Sequence, residues 1–309
     1  MRVLVLGGAG FLGRHVATAL EARGHAVTIG LRRARRARPR PEPAAHRRNW
    51  RVTPFEQLTD AKAWVAKLDG IDAVVNCVGI LRERGRETYR RVHCEAPAAL
   101  AAACARHGIA RLVHVSALGL HDGARSGFLR SKLAAERALA AFGDAVSIVR
   151  PSLLAGEGGY GAKWIARVAR WALHCVPADA TGRIAVVDVR DVAEAIAILC
   201  TTPGGPEWRQ VEMGGAEMFT IADYLAALRA AACDGPARRI VVPAWLARLA
   251  SHMCDFFHAS PFSFGHLELL RRDNEAKPNR LPALLARAPR SVLAPADAFP
   301  APAALGWPA

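Results

Sequence analysis

Residues 3–13 read VLVLGGAGFLG, an apolar run that ends in glycines at positions 7, 8, 10 and 13. A short aliphatic run before glycine is typical of a buried β-strand, and Leu12, Val16 and Leu20 then recur at helical spacing. The glycines fit both G-x-x-G-x-x-G and G-x-G-x-x-G. In such a loop the first glycine makes a tight turn, the second lets the backbone approach a pyrophosphate, and the third lets helix and strand pack closely.

The position of this loop supports a ligand-binding interpretation over a glycine-rich turn without a ligand. The loop follows a predicted strand, begins a helix, and precedes a second predicted strand over residues 26–29. A pyrophosphate would lie at the helix N terminus, where free N–H groups and the helix dipole attract anions. We therefore expect a dinucleotide to contact Gly7, Gly10, Phe11, Leu12 and Gly13.

Outward from this loop, strands and helices alternate. The pattern predicts strands over residues 73–78, 112–116 and 146–150, and helices over 55–68, 88–106 and 126–141. Such alternation predicts an α/β fold of the Rossmann type, a doubly wound parallel sheet covered on both faces. We expect residues 1–150 to form the NADP(H)-binding domain and residues 151–309 to form a smaller C-terminal α/β region on the substrate side, which completes the fold.

After Pro151 the alternation of strands and helices is less regular, and fewer elements can be predicted. The sequence predicts strands over residues 183–189 and 210–213, and helices over 162–174, 191–200, 220–233 and 245–258. The helices over 162–174 and 245–258 are amphipathic and carry Trp164, Trp171 and Trp245, as interfacial helices do. Peripheral contact with a membrane is therefore a side hypothesis, although such helices more often cover a core or a cleft.

The end of the second strand selects the cofactor. Sites for NAD place an acidic residue there to bind the ribose 2′-hydroxyl, whereas this chain has Gly30-Leu31-Arg32-Arg33. Guanidinium groups suit a 2′-phosphate because they are permanently charged, fork-shaped donors. We therefore predict NADP(H), with Arg32 and Arg33 at the phosphate; the alternative is that both arginines only begin a basic loop.

That basic loop covers residues 32–48, with eight arginines and Glu42 as the one acid. The chain as a whole has 42 basic and 27 acidic residues and a formal net charge of +15. An anionic partner such as a nucleic acid is one interpretation, but only Trp50 offers aromatic stacking nearby, so nucleic-acid binding is the weakest hypothesis. We expect the loop to be flexible, because its like charges repel.

Seven cysteines at wide spacings, without a C-x-x-C pair, favour reduced thiols in the cytoplasm over a disulfide framework or a metal site. No apolar run reaches the roughly 18 residues of a spanning helix. We expect no metal site and a cytoplasmic location. If the protein does contact a membrane peripherally, we expect that contact at the inner face.

Five motifs together resemble the extended or atypical short-chain dehydrogenases/reductases, the group that includes NAD-dependent epimerases and dehydratases. They are GGAGFLG at residues 7–13, NCVG at 76–79, HVSALG at 114–119, RPS at 150–152 and VRDVA at 189–193. Within that group, the segments GFLGRHV, VNCVGIL, LVHVSALG and LELLRRDN resemble those of relatives of the 39 kDa subunit of respiratory complex I. The resemblance covers about residues 1–280 and implies further cofactor contacts at Asn76, Val78, Gly79, Ser116, Lys132 and Pro151.

Catalytic members of the group use a Ser, a Tyr and a Lys, the last two spaced Y-x-x-x-K. Ser116 and Lys132 match two of these positions, but Phe128 occupies the tyrosine position. A phenyl ring cannot transfer a proton. The resemblance thus implies that Lys132 still holds the nicotinamide ribose while turnover is in doubt. Asn76 and Ser116 have plainer alternatives, as a turn cap and a strand-end hydroxyl.

Three functional hypotheses follow. The first is a cofactor-holding protein whose NADP(H) is structural or sensory and which acts with a protein partner, as the complex I resemblance implies. The second is an active NADP-dependent oxidoreductase, or a nucleotide-sugar epimerase or dehydratase, that uses another proton donor. The third is a basic regulatory or nucleic-acid-binding module.

Overall fold

The computed structural model describes residues 1–33, 49–233, 235–258 and 260–293. Its strands, in chain order, are β1 (Arg2–Leu6), β2 (Ala26–Leu31), β3 (Asn49–Val52), β4 (Ala73–Asn76), β5 (Arg111–Val115), β6 (Val146–Pro151), β7 (Leu154–Ala155), β8 (Leu173–Pro177), β9 (Val187–Asp188), β10 (Gln210–Met213) and β11 (Arg238–Val242). Seven of them form one sheet in the order β10-β6-β5-β4-β1-β2-β3, and every pair in it is parallel. The predicted Rossmann-type fold is confirmed.

Helices cover both faces of this sheet. They are α1 (Phe11–Ala22), α2 (Ala61–Leu68), α3 (Ala96–Arg106), α4 (Gly127–Ala140), α5 (Tyr160–Ala169), α6 (Val189–Thr201), α7 (Ile221–Ala232), α8 (Ala244–Phe257), α9 (Phe264–Leu270) and α10 (Leu281–Leu285). Because side chains alternate along a strand, β1 sends Val3 and Val5 to the core beneath α1, α6 and α10. Leu4 and Leu6 enter the opposite core beneath α2, α3 and α4.

The parallel register brings the motifs to one edge of the sheet. Leu6 lies opposite Gly30 on β2 and Asn76 on β4, and Asn76 lies opposite His114 on β5. The loops that follow these strands therefore meet at the carboxyl ends, where open α/β sheets bind their ligands.

The chain beyond residue 150 contributes to both parts of the molecule. Strand β10 joins the main sheet beside β6, and α6 packs beneath it in the core shared with α1. Helix α10 packs in the same core. Other elements form a layer above the carboxyl edge, which includes the small parallel sheets β7–β9 and β8–β11.

The helix predicted over residues 162–174 is wrong at its C-terminal end. Helix α5 ends at Ala169, and β8 begins at Leu173 with alternating exposed and buried residues. The Arg229 guanidinium donates to the carbonyls of Arg170 and Trp171 at 2.9 Å, and the His174 ring donates to the Ala169 carbonyl at 3.0 Å. These donors satisfy open carbonyls at and just after the helix end. The Arg229 contacts join residues 59 and 58 positions apart, so no local pattern shows them.

Other predicted helices are interrupted. The segment over 55–68 is a short 3-10 helix, Phe55–Gln57, followed by α2, whose first turn is capped by Asp60. The segment over 88–106 begins with a π-helical turn, Arg90–Glu95, before α3. Strands β3 and β11 were not expected. Most of the basic loop, residues 34–48, lies outside the described residues, so its flexibility stays a prediction.

Candidate nicotinamide dinucleotide site

The glycine loop has the geometry that its spacing predicts. Gly7 has φ +70°, and the Gly10 N–H donates to the Gly7 carbonyl at 2.8 Å. A Cβ at Gly13 would lie 2.2 Å from the Gly7 oxygen, so only glycine fits there. Gly10 begins α1 without a side-chain cap. The first N–H groups of the helix thus have no partner within the helix and are available to a phosphate.

Arg32 and Arg33 lie just beyond the carboxyl end of β2, beside this loop, and both are exposed. The Arg32 guanidinium forms an ion pair with Glu87. Glu87 is thus an acid near this end of the sheet that sequence spacing alone did not place, and it competes with an anionic ligand for Arg32.

The loop after β4 is shaped by Asn76, which is fully buried. The Asn76 Oδ1 atom accepts from the Val78 N–H at 3.0 Å, and Nδ2 lies 3.0 Å from Nδ1 of His114. The side chain therefore holds the turn from Cys77 to Gly79, which supports the turn-cap alternative for Asn76. A Cβ on Gly79 would lie 3.6 Å from Nζ of Lys132, so Gly79 borders the lysine.

Lys132 is buried on α4, and its Nζ donates to the Val115 carbonyl at 3.1 Å. Burial lowers the pKa of Lys132 to about 8, against which the nearby Glu136 carboxylate acts. Burial also raises the pKa of the neighbouring Cys77 thiol to about 12, so this cysteine is protonated at neutral pH and does not act as a nucleophile.

Ser116 follows β5 and is 5% exposed. Its hydroxyl has no hydrogen-bond partner among the described residues, and the same holds for the Ser152 hydroxyl after β6. Buried hydroxyl groups in proteins are normally paired. Both serines line a cavity that also contacts Phe128 and Pro151, so the structure brings these four residues together at the carboxyl edge.

Phe128 lies in an aromatic cluster. Its ring centroid is 6.4 Å from that of Tyr89, 5.8 Å from that of His93 and 6.3 Å from that of His266. The Tyr89 hydroxyl points away to the Leu81 carbonyl at 2.6 Å, and burial raises its pKa to about 12. Among the described residues, no ionisable phenol therefore takes the place of the tyrosine that the family pattern expects.

His93 is a residue of this site that sequence reasoning missed. Its Nε2 accepts from the Ile80 N–H at 3.0 Å, and Nδ1 contacts the Ser131 hydroxyl at 2.8 Å. Ser131 in turn donates to the Phe128 carbonyl at 2.8 Å. Burial lowers the pKa of His93 to about 2, so a neutral imidazole links the loop after β4 to helix α4. The available signal was a histidine four residues after Tyr89, and the structure stacks the two rings with centroids 5.4 Å apart.

Two of the recognised motifs have structural partners. Arg150 at the end of β6 pairs with Glu136 and Glu212. Asp191, which is fully buried, pairs with Arg287 and Arg290. The first pair ties β6 to α4 and β10, and the second ties α6 to the C-terminal part of the described chain.

The cavity beside Ser116 has a volume of about 640 Å³, within the roughly 300–1,000 Å³ of small-molecule sites. Its wall is almost entirely apolar. It extends from the carboxyl edge of the main sheet to α5, β8 and α8, where it is lined by residues such as Trp164, Val168, Trp171, Leu173, Ala247 and Ala250. Across the described ranges, no group of three or more His, Cys, Asp or Glu side chains is arranged to hold a metal ion.

The sequence pattern of the NAD dependent epimerase/dehydratase family matches residues 3–214, more than half of the chain. The chain therefore belongs to this family, which confirms the resemblance to extended short-chain dehydrogenases/reductases and gives the protein an NAD(P)-binding fold.

The chain is also similar in sequence to two individual proteins of known name. The chain is 27% identical over 233 residues to the ceramide reductase of Caulobacter vibrioides (strain NA1000 / CB15N), with 70% of each chain covered. It is 27% identical over 218 residues to NADH dehydrogenase (ubiquinone) 1 alpha subcomplex subunit 9, mitochondrial, of Arabidopsis thaliana, which covers 70% of this chain and 54% of the plant protein.

A solved structure shares the fold. The UDP-glucose 4-epimerase of Thermus thermophilus, in complex with NAD, superposes with a TM-score of 0.59 at 22% identity, over 79% of this chain and 86% of the epimerase. Within the part of the chain that the structure describes, no helix is both long and apolar enough to cross a membrane.

Proposed function

We propose that the chain holds NADP(H) as a structural or sensory cofactor, acts through a protein partner, and lacks the tyrosine-dependent proton transfer of its family. The observation that carries this proposal is Phe128, four residues before Lys132 on α4, packed among Tyr89, His93 and His266. The glycine loop and Lys132 support cofactor binding, while the ring at position 128 removes the proton donor.

The other tyrosines support the same conclusion. The chain has three. Tyr224 packs with Ile184 and Val186 in a separate cluster, and Tyr160 is 64% exposed at the start of α5. The Tyr89 hydroxyl is held by the Leu81 carbonyl. None of these phenols is paired with Lys132, whose ammonium instead donates to the Val115 carbonyl.

The choice of NADP(H) over NAD(H) rests on Arg32 and Arg33. The residues at the end of β2 include no acid to bind a ribose 2′-hydroxyl. A 2′-phosphate at this position would draw Arg32 away from Glu87. The ion pair is partly exposed, so its replacement costs little.

The cofactor test has two parts. Nucleotide released from the purified protein on denaturation should be NADPH or NADP⁺. The native protein should oxidise NADPH slowly with carbonyl or sugar-nucleotide substrates, because general acid–base catalysis contributes about 10²- to 10⁴-fold. Phe128→Tyr should not weaken cofactor binding, and Phe142→Tyr is the matched control outside the site. Fast turnover by the native protein, lost in Lys132→Ala without release of the cofactor, would contradict the proposal.

A second candidate function is an NADP(H)-dependent oxidoreductase for an apolar carbonyl compound. The observation that favours it is the unpaired hydroxyl of Ser116 in the wall of an apolar cavity, and one relative is named for the reduction of ceramide. The carbonyl carbon would take a hydride from NADPH and its oxygen a proton from water held at Ser116. Reduction of a long-chain ketone by the native protein but not by Ser116→Ala would favour this candidate over the first.

A further inference from the structure

The wall of the cavity excludes the charged substrates of ordinary epimerases. None of the described residues that line it is Arg, Lys, Asp or Glu. A nucleoside diphosphate needs cationic side chains or helix N termini at its phosphates. An apolar wall of this kind instead binds hydrocarbon, because the burial of apolar surface is the main favourable contribution.

One end of the cavity is polar. The hydroxyl groups of Ser116 and Ser152 lie there, 5% and 7% exposed by residue, and neither has a partner among the described residues. The Oγ atom of Ser260 and the Oδ1 atom of Asn274, which also line the cavity, have no such partner either. The polar head of a ligand would complete the hydrogen bonding of Ser116 and Ser152 while its chain extends along the apolar wall. The ligand that fits this arrangement has one oxygen-bearing group and one long apolar chain.

The other end opens to solvent. Trp171 is 49% and Leu173 is 40% exposed, and both line the cavity together with Ala250 of α8. Helix α8 presents Ala247, Ala250 and Cys254 to the cavity, at intervals of three and four residues that share one helix face.

Helix α8 is apolar on its outer side as well. Trp245 is 69%, Leu249 is 52%, Met253 is 47% and Phe256 is 77% exposed. Exposed aromatic and aliphatic groups of this density mark an interaction surface. Since the same helix lines the cavity and carries these groups, the opening lies within an apolar surface.

The charges of this surface identify its partner. Residues 160–177, which include α5 and β8, carry Lys163, Arg167 and Arg170 and no acid. Residues 238–257, which include β11 and α8, carry Arg238, Arg239 and Arg248, and their one acid, Asp255, is paired with Arg82. Basic residues around exposed Trp and Phe side chains suit the interface of an anionic bilayer.

We propose that the outer face of α8 docks on an anionic membrane and that the cavity takes the single long chain of a membrane lipid, which enters directly from the bilayer. The proposal rests on the proposed function only in placing the nicotinamide at the Ser116 end. It requires no hydride transfer.

The cavity is tested with cis-parinaric acid, whose fluorescence rises in apolar sites. We expect the native protein with NADPH to bind it, UDP-glucose not to displace it, and Ala250→Trp at the opening to weaken binding about tenfold. Ala166→Trp, on the exposed side of α5, is the matched control and should bind as the native protein does. Failure to bind parinaric acid, or its displacement by UDP-glucose, would overturn the cavity assignment.

The surface is tested by flotation with vesicles of phosphatidylcholine alone or mixed with phosphatidylglycerol. The native protein should bind the mixed vesicles, less so in high salt, and the double variant Trp245→Glu, Phe256→Glu should lose this binding. Val65→Glu, at an exposed apolar position of α2, is the control. Absence of vesicle binding, or a dimer in solution that Trp245→Glu dissociates, would overturn the docking assignment. NADPH affinity measured on the same samples shows independently whether the cofactor proposal stands.

Discussion

The glycine-loop side and the substrate side of the carboxyl edge differ in how closely they follow the family pattern. On the first side, Gly7, Gly10 and Gly13 have the geometry that a pyrophosphate needs. On the second side, Phe128 stands where a phenol is expected and the cavity wall is apolar. The comparison teaches that the backbone of one loop can supply the conditions for holding a dinucleotide, whereas the conditions for chemistry depend on individual side chains that change independently.

The largest expected effect is a loss of NADPH affinity after a substitution in the glycine loop. Gly10→Val should lower NADPH affinity about a thousandfold, because its side chain would fill the space into which the pyrophosphate must approach. Its Cβ alone would lie 3.0 Å from the Gly7 oxygen. Gly123→Ala, where the new Cβ would come no closer than 3.5 Å to the His121 ring, is the control. Isothermal titration measures both, and unchanged affinity in Gly10→Val would show that the loop is not the site.

The sequence predicted the glycine-loop side more completely than the substrate side, for a physical reason. A strand, a glycine turn and a helix are consecutive in the chain, so their spacing records their geometry. By contrast, His93 forms hydrogen bonds with Ile80 and Ser131, and Arg82 forms one with Asp255. The partners in each of these contacts are far apart in sequence. Arg229 donates to the carbonyls of Arg170 and Trp171, directly after the end of α5. Contacts of this kind depend on tertiary packing, which a local pattern does not contain.

The next prediction uses the pKa of Lys132, which lies beside Gly79 of the loop after β4. Its folded pKa of about 8 lies below the ordinary lysine value of 10.5, so the unfolded chain binds the extra proton between these values. Folding stability contributed by this group is therefore lowest below pH 8 and increases as pH rises toward 10.5. Relative to Lys132→Met, the native protein should gain up to about 3 kcal/mol across this window.

Urea unfolding of native protein and Lys132→Met at several pH values measures this difference. Lys62→Met, on α2, should show no such change relative to the native protein, because Lys62 is exposed. A constant difference between native and Lys132→Met would mean that Lys132 is solvated in the folded protein.

Arg82 allows the substrate side to be perturbed alone. Its guanidinium donates to Asp255 at 2.8 Å and to the carbonyls of Ser260 and Phe262 at 2.6 and 2.7 Å, which fixes α8 and the segment after it against the loop beyond β4. Arg82→Met should cost about 2 kcal/mol of stability, since charged hydrogen bonds are lost. It should weaken parinaric acid binding while NADPH affinity stays within about twofold. An equal loss of both affinities would show that the two sides are one cooperative unit.

The smallest expected effect concerns the proposed contact of Arg32 and Arg33 with a 2′-phosphate, beyond the end of β2. Arg32→Ala and Arg33→Ala should each weaken NADPH binding about tenfold and leave NADH binding nearly unchanged, because a charge-assisted contact to a partly exposed phosphate contributes only about 1–2 kcal/mol. Glu87→Gln should act in the opposite direction by a few-fold, since it releases Arg32 from its ion pair. Arg106→Ala is the control, because Arg106 ends α3 ahead of β5 and so lies at the opposite edge of the sheet.

Titration of each variant with both nucleotides gives the selectivity directly. Equal affinities for NADPH and NADH in the native protein would exclude a phosphate contact. A gain in NADPH affinity in Glu87→Gln that disappears when Arg32→Ala is added would locate the contact at Arg32, because the acid can act on the phosphate through that guanidinium only while it is present.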